Sequence, residues 1–180
     1  MAVRAFRLFK VLLLALVFAP LATSAADDIE RAGDHLQILL PATALGMTVW
    51  NKDWEGSRQF MHSMAANLLV THGLKRAVNK LKPNGEQAQS FPSGHTSVAF
   101  QGAAFVHRRY GLRKAVPAYV AAAFVGYSRV RSDHHYPEDV VAGAALGILS
   151  SFYFSSPYNG VSISTGYSED GLTLSLTADF

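Results

Sequence analysis

Two histidines stand where turn residues give way to apolar sequence, in "PSGH" (92–95) and in "SRVRSDHHYPED" (128–139). The start of a helix leaves backbone N–H groups unpaired and carries the positive end of the helix dipole, so it is a ready anion site. In the first stretch Ser93 adds a hydroxyl, Gly94 lets backbone approach a ligand closely, and His95 puts a titratable ring beside it. In the second, Pro137 suits the first helical position, which makes Tyr136 the N-cap and Asp139 the third helical residue. A carboxylate there folds back toward the residues before the helix. His135 is one of these, and an Asp–His pair fixes the imidazole tautomer and supports charge on the ring. Arg129, six residues earlier, offers a two-bond grip on an oxyanion. Taken singly, each stretch also reads as a capped helix bearing a surface histidine.

A third stretch, "KRAVNKLKP" (75–83), holds Lys75 and Lys82 seven residues apart. Two helical turns would put both on one face, where they could hold an anion, although Pro83 limits how far that helix runs. Alone, this is most simply the solvated end of a helix. Together the three stretches describe a pocket for a tetrahedral oxyanion with two imidazoles beside it.

A metal site fits less well. His95, His134, His135, Asp133 and Asp139 are possible ligands, but adjacent histidines in extended chain point apart. No HExxH spacing is present, and Lys75, Lys82 and Arg129 would repel a divalent ion. Neither metal nor cofactor is expected. His35, His62 and His107 read as structural or surface residues, and His72 as at most a neighbour of the site.

The elements that must position these residues are helices. Five charge-poor stretches, 36–50, 59–74, 96–106, 115–128 and 140–154, are expected to form a bundle of about five core helices, so the fold class is all-α. In "AGAALG", Gly143 and Gly147 form a small-xxx-small pair that permits close helix approach. The tail alternates in period two on both sides of "SEDG", which predicts a C-terminal β-hairpin laid on the bundle or used in association.

The 180 residues fit one domain. Residues 1–25 read as a secretory signal: a basic start, a short apolar run, then small residues near Ala25. The helical domain is expected over 26–157 and the hairpin over 158–180. Only 16% of residues are charged, and each apolar run falls short of the ~20 needed to span a bilayer. The basic loop "HRRYGLRK" (107–114) nevertheless suits the cytoplasmic side of a membrane, which would put both histidine loops outside. The bundle is therefore expected in the membrane, a soluble bundle being the alternative. The excess charge of +3 is small and dispersed, which argues against nucleic acid as a partner. The chain has no cysteine, so disulfides and thiolate metal sites are excluded. Oligomeric state is not legible.

The order Lys75-x6-Lys82-Pro83, Pro92-Ser93-Gly94-His95, then Ser128-Arg129-x5-His135-x3-Asp139 resembles the type-2 phosphatidic acid phosphatase superfamily, which includes bacterial acid phosphatases and vanadium haloperoxidases. The family usually has arginine where Lys82 stands, so charge is kept and the guanidinium fork is lost. The resemblance implies that His135 attacks phosphorus with Asp139 orienting it, and that His95 protonates the leaving oxygen. Lys75, Lys82, Ser93, Gly94 and Arg129 would bind the phosphate. It also implies a metal-independent phosphatase acting on a lipid phosphate or diphosphate at the periplasmic face of a bacterial inner membrane. The alternatives are a soluble periplasmic acid phosphatase taking small phosphoesters, a vanadate-dependent halide oxidase, and a non-catalytic anion-binding protein.

Overall fold

The computed structural model describes residues 25–85, 88–158, 161–168 and 171–178, with side chains described over 27–85 and 88–158. The expected signal segment lies outside these residues except for its last position. Five helices follow in order: α1 (Ala25–Trp50), α2 (Trp54–Val78), α3 (Gly94–Tyr110), α4 (Leu112–Arg131) and α5 (Pro137–Phe154).

Each helix begins earlier than its apolar run suggested, because first turns are polar. The largest difference is in α1, whose "DDIERAGDH" carries no apolar signal yet is helical. Asp53 caps α2 by accepting from the Gly56 N–H at 2.8 Å. Ser93 caps α3, and Pro137 opens α5 as the sequence predicts.

α3 is the axis of the bundle and packs against all four other helices. It can do so because its surface is small: Ala99, Gly102, Ala103 and Ala104 lie along it. At Gly102 the backbone of α1 passes so close that an added Cβ would stand 2.9 Å from the nitrogen of Pro41. Gly143 and Gly147 turn the small face of α5 onto the α3 backbone at Ser93 and Ser97, the close approach that the small-xxx-small pair predicts. The core comprises a cluster around Leu36, Leu40, Ala99 and Val125 and another around Phe60, Phe105 and Ala115. Many buried side chains are polar, among them Thr48, Ser63, Asn67, Thr71, Ser97, Gln101 and Ser151, whereas Leu69, Val141, Leu149 and Tyr153 face outward.

At the end of α3 remote from His95, Arg109 forms a buried fork on Asp53, with Nε donating to Oδ2 at 2.7 Å. Tyr110 donates to the same carboxylate, and Arg109 Nη1 donates to the carbonyls of Ser156 and Pro157. This knot ties α2, α3 and the segment after α5 together.

Beyond the helices, β1 (Val161–Ser168) and β2 (Gly171–Ala178) pair antiparallel, with Val161 opposite Ala178. Their main packing is on each other rather than on a helix. The sequence offered two uses for the hairpin, docking on the bundle or association, and among the described residues no helix packs on it comparably.

Candidate active site

The three stretches meet at one end of α3. The Ser93 N–H donates to the Asp139 carbonyl at 2.9 Å, joining the loop before α3 to the first turn of α5. The Asn84 N–H donates to the Asp133 carbonyl at 3.3 Å, joining the segment after Lys82 to the loop before His135. Lys75 reaches the same place, since a Cβ on Gly94 would lie 3.6 Å from its Cε.

His135 is almost fully buried. Its Nδ1 lies 3.3 Å from Ser90 Oγ and 3.8 Å from Asp139 Oδ2. The expected Asp139–His135 pair is thus bridged: Ser90 donates to Asp139 Oδ2 at 2.5 Å and stands between carboxylate and ring. Asp139 folds back as predicted, accepting from the Tyr136 N–H at 3.1 Å. Lys80 donates to its other oxygen at 2.8 Å while lying over the Tyr136 ring. Burial alone would raise the Asp139 pKa, but the hydrogen bonds from Lys80, Ser90 and the Tyr136 N–H outweigh it and hold the carboxyl below its ordinary value. With Nδ1 turned to Ser90 and Asp139, Nε2 is the ring nitrogen that faces away from them.

Both imidazoles are held neutral at pH 7. Burial and the positive charge of Lys75 lower His135 to about 4, with Asp139 opposing. Burial and Arg129 lower His95 to about 4, with Asp34 opposing. Each histidine feels charge on the other or on a shared neighbour, Lys75, so the rings belong to one electrostatic site. Burial and Lys82 lower Lys75, whose Nζ donates to the Gln89 carbonyl at 2.7 Å.

One expectation needs correction. Lys75 and Lys82 do not share a helical face. α2 ends at Val78, where Asn79 takes a left-handed conformation and its N–H bonds to the Lys75 carbonyl. Lys82 then lies in the following irregular segment, close enough to Lys75 to affect its charge. Ser93 Oγ is buried against Thr96, accepting from its N–H and sharing a 2.9 Å hydrogen bond with its hydroxyl. It serves as the cap of α3. Gly94 has no positive φ and no crowding neighbour, so the chain itself does not require glycine there.

Arg129, for which a two-bond grip on an oxyanion was expected, is held by protein groups in this structure. It is buried, and α1 engages it: Nη2 donates to the Glu30 carbonyl at 2.8 Å, and Nη1 lies 2.9 Å from Asp34 Oδ1. Its Nε donates to Ser128 Oγ at 3.2 Å. The same Asp34 oxygen lies 3.3 Å from His95 Nε2, and His134 Nε2 lies 2.7 Å from Glu30 Oε1. Sequence reading missed Ser90, Lys80, Glu30 and Asp34. The signal for Lys80 was its place in the basic run, whereas the α1 acids gave none without knowledge that α1 begins so early. Among the described residues, no three His, Asp or Glu side chains gather as metal ligands would.

The sequence pattern of the PAP2 superfamily matches residues 57–160, more than half of the chain and all three stretches. The chain belongs to the PAP2 superfamily. Its PAP2 relatives include a lipid A 1-phosphatase of Porphyromonas gingivalis, 44% identical over 78 residues, which are 42% of this chain and 18% of that protein. A second lipid A 1-phosphatase, of Helicobacter pylori, is 28% identical over 135 residues, 70% of this chain and 71% of its own. This chain therefore spans under a fifth of the first relative's length and somewhat over two thirds of the second's. Among solved structures, Aquifex aeolicus LpxE superposes with a TM-score of 0.62 at 21% identity, covering 84% of this chain and 93% of that one. That likeness is one of fold. Both of these relatives are named as phosphatases.

Proposed function

We propose that the chain hydrolyses a phosphomonoester or diphosphate of a membrane lipid through a phosphohistidine on His135. The observation that carries this reading is the buried His135 ring, kept neutral beside Lys75 and fixed at Nδ1 by Ser90 and Asp139. A neutral imidazole with an oriented Nε2 is the form that attacks phosphorus.

In the first step Nε2 forms a bond to phosphorus while the P–O bond to the lipid breaks, and His95 gives its proton to the leaving oxygen. In the second, His95 takes a proton from water, whose oxygen displaces His135 and releases inorganic phosphate. Among its protein neighbours alone His95 is neutral. The negative charge of a bound phosphate offsets Arg129 and Lys75 and favours the protonated ring that the first step needs. Lys75, Lys82, Arg129 and the N–H groups at the start of α3 offset the charge on the equatorial oxygens, and phosphoryl transfer depends mainly on such positioning and neutralisation. Ser93 caps that helix, and Gly94 leaves room for the phosphate to approach its backbone. No step is assigned to a metal or cofactor.

The lipid substrate is supported by the lipid A phosphatases among the relatives and by the outward apolar side chains of α2 and α5, such as Leu69, Leu149 and Tyr153. Among the described residues no helix is long and apolar enough to cross a membrane. Membrane embedding therefore enters the proposal as lipid contact along these outer faces, with the site toward the periplasm of a bacterial inner membrane. The division into a signal segment, a phosphatase domain over 26–157 and a separate C-terminal β-hairpin belongs to the same reading.

The test is phosphate release from a lipid A-type phosphate, a polyprenyl diphosphate and a water-soluble phosphomonoester, in detergent with chelator present. Rapid quench should trap an acid-labile, base-stable phosphoramidate, and His135→Ala should abolish both it and turnover. Retained turnover in that variant would overturn the assignment. A preference for the water-soluble ester would instead point to a periplasmic acid phosphatase.

A further inference from the structure

The first turns of α1 bring two acids, Glu30 and Asp34, onto the residues assigned to the phosphate. One Asp34 oxygen lies 2.9 Å from Arg129 Nη1 and 3.3 Å from His95 Nε2, so a single carboxylate oxygen meets both the cation and the proposed proton donor. The leaving oxygen of a substrate needs that same place. The other guanidinium nitrogens are already engaged by Glu30 and Ser128. Nη1 is therefore the part of Arg129 that a phosphate can gain by replacing one partner with another.

α1 is built to sit here. Gly33 lets it close on α4, since a Cβ there would overlap Ser128 and stand 3.0 Å from Arg129 Nη2. Glu30 adds its contact to His134. The Asp34 side chain, by contrast, is 44% exposed although Oδ1 itself is buried, so the carboxylate can swing into solvent without moving the helix.

We propose that Asp34 is an internal competitor for the phosphate site: its carboxylate holds Arg129 and His95 in the empty enzyme, substrate binds by displacing it, and its return helps expel inorganic phosphate. This rests on the reading of Arg129 and His95 as groups of the phosphate site. A pocket with three cations and a helix start would otherwise hold its product tightly. A mobile carboxylate of like charge weakens every anion by the same factor, the free energy of breaking its own contacts.

The experiment is equilibrium titration of inorganic phosphate into the full chain in detergent, with wild type, Asp34→Asn, Asp34→Ala and Arg129→Ala compared. Both Asp34 variants should bind phosphate about two- to fivefold more tightly, the worth of a charge pair with one exposed partner. KM should fall with them. Tighter binding is a gain that a damaged fold does not produce, which separates competition from a structural role. If Arg129→Ala weakens phosphate while both Asp34 variants leave it unchanged or weaker, the competitor is refuted and the site stands. If Arg129→Ala leaves binding unchanged, the phosphate site itself is misplaced and the competitor falls with it.

Discussion

Gly143→Ala tests how the scaffold aims the site. Alanine is the better helix former by about 1 kcal/mol, so at an indifferent position this change stabilises. At Gly143 the new Cβ would stand about 1 Å inside ordinary van der Waals separation from the Ser93 carbonyl oxygen, with the Ser97 nitrogen also close at 3.3 Å. The obstacle is backbone, which cannot rotate away, so α5 and the loop before α3 must part. Overpacking of this kind costs about 1–3 kcal/mol, which outweighs the propensity gain. In a chain of this length that lowers Tm by about 2–4 °C per kcal/mol. The same separation strains the bond from Ser93 to Asp139 and moves His95 relative to His135, and a 1 Å misplacement reduces turnover by about a hundredfold. Gly73→Ala, within α2 and with nothing inside 4 Å, is the internal control and should raise Tm slightly. Thermal unfolding followed by circular dichroism, with phosphate release at a temperature where both variants are folded, gives the two readouts. A Gly143→Ala protein that melts no lower than wild type and keeps activity within a few-fold would refute the argument.

Ser90→Ala removes the hydroxyl between Asp139 and His135; a hydrogen bond to a charged group is worth about 1.5–3 kcal/mol, so kcat should fall by about ten- to a hundredfold and the melting temperature by about 3–12 °C. Asp53→Ala leaves Arg109 buried without its carboxylate, and chemical denaturation should report a loss of about 3–5 kcal/mol. Stability should also fall as pH drops below 6.5. Both His95 and His135 are depressed to about 4 when folded and return toward 6.5 when unfolded, so the unfolded chain binds more protons across that window. Melting temperature measured from pH 7 down to about 5, above the ordinary carboxylate range, should decline in wild type and decline less in His135→Asn. Equal slopes would show that His135 is not the buried neutral ring described above.

Both histidines and Asp139 were legible because their neighbours are local signals: Ser93 as a cap, Pro137 at a helix start, and a carboxylate three residues past Tyr136. The five helices were legible from apolar runs, and the glycine pair in α5 from its spacing. What escaped was polar sequence that is nonetheless helical. The first turns of α1 have no apolar periodicity, so Glu30 and Asp34 fell before the first expected helix, when they in fact lie on Arg129 and His134. Ser90 meets a carboxylate 49 residues away, and no local pattern encodes that meeting. The Lys75–Lys82 spacing misled because Asn79 turns left-handed and ends the helix between them.

The joint between the two histidine-bearing segments, from the Ser93 N–H to the Asp139 carbonyl, is made by main chain on both sides. Replacing either side chain leaves that link available, so the acid, the cap and their neighbours can be exchanged while the distance between the loops is kept. Reactivity and alignment are thereby separately mutable. A lineage could alter what the pocket accepts through its side chains, so long as the glycines beneath the joint stay bare.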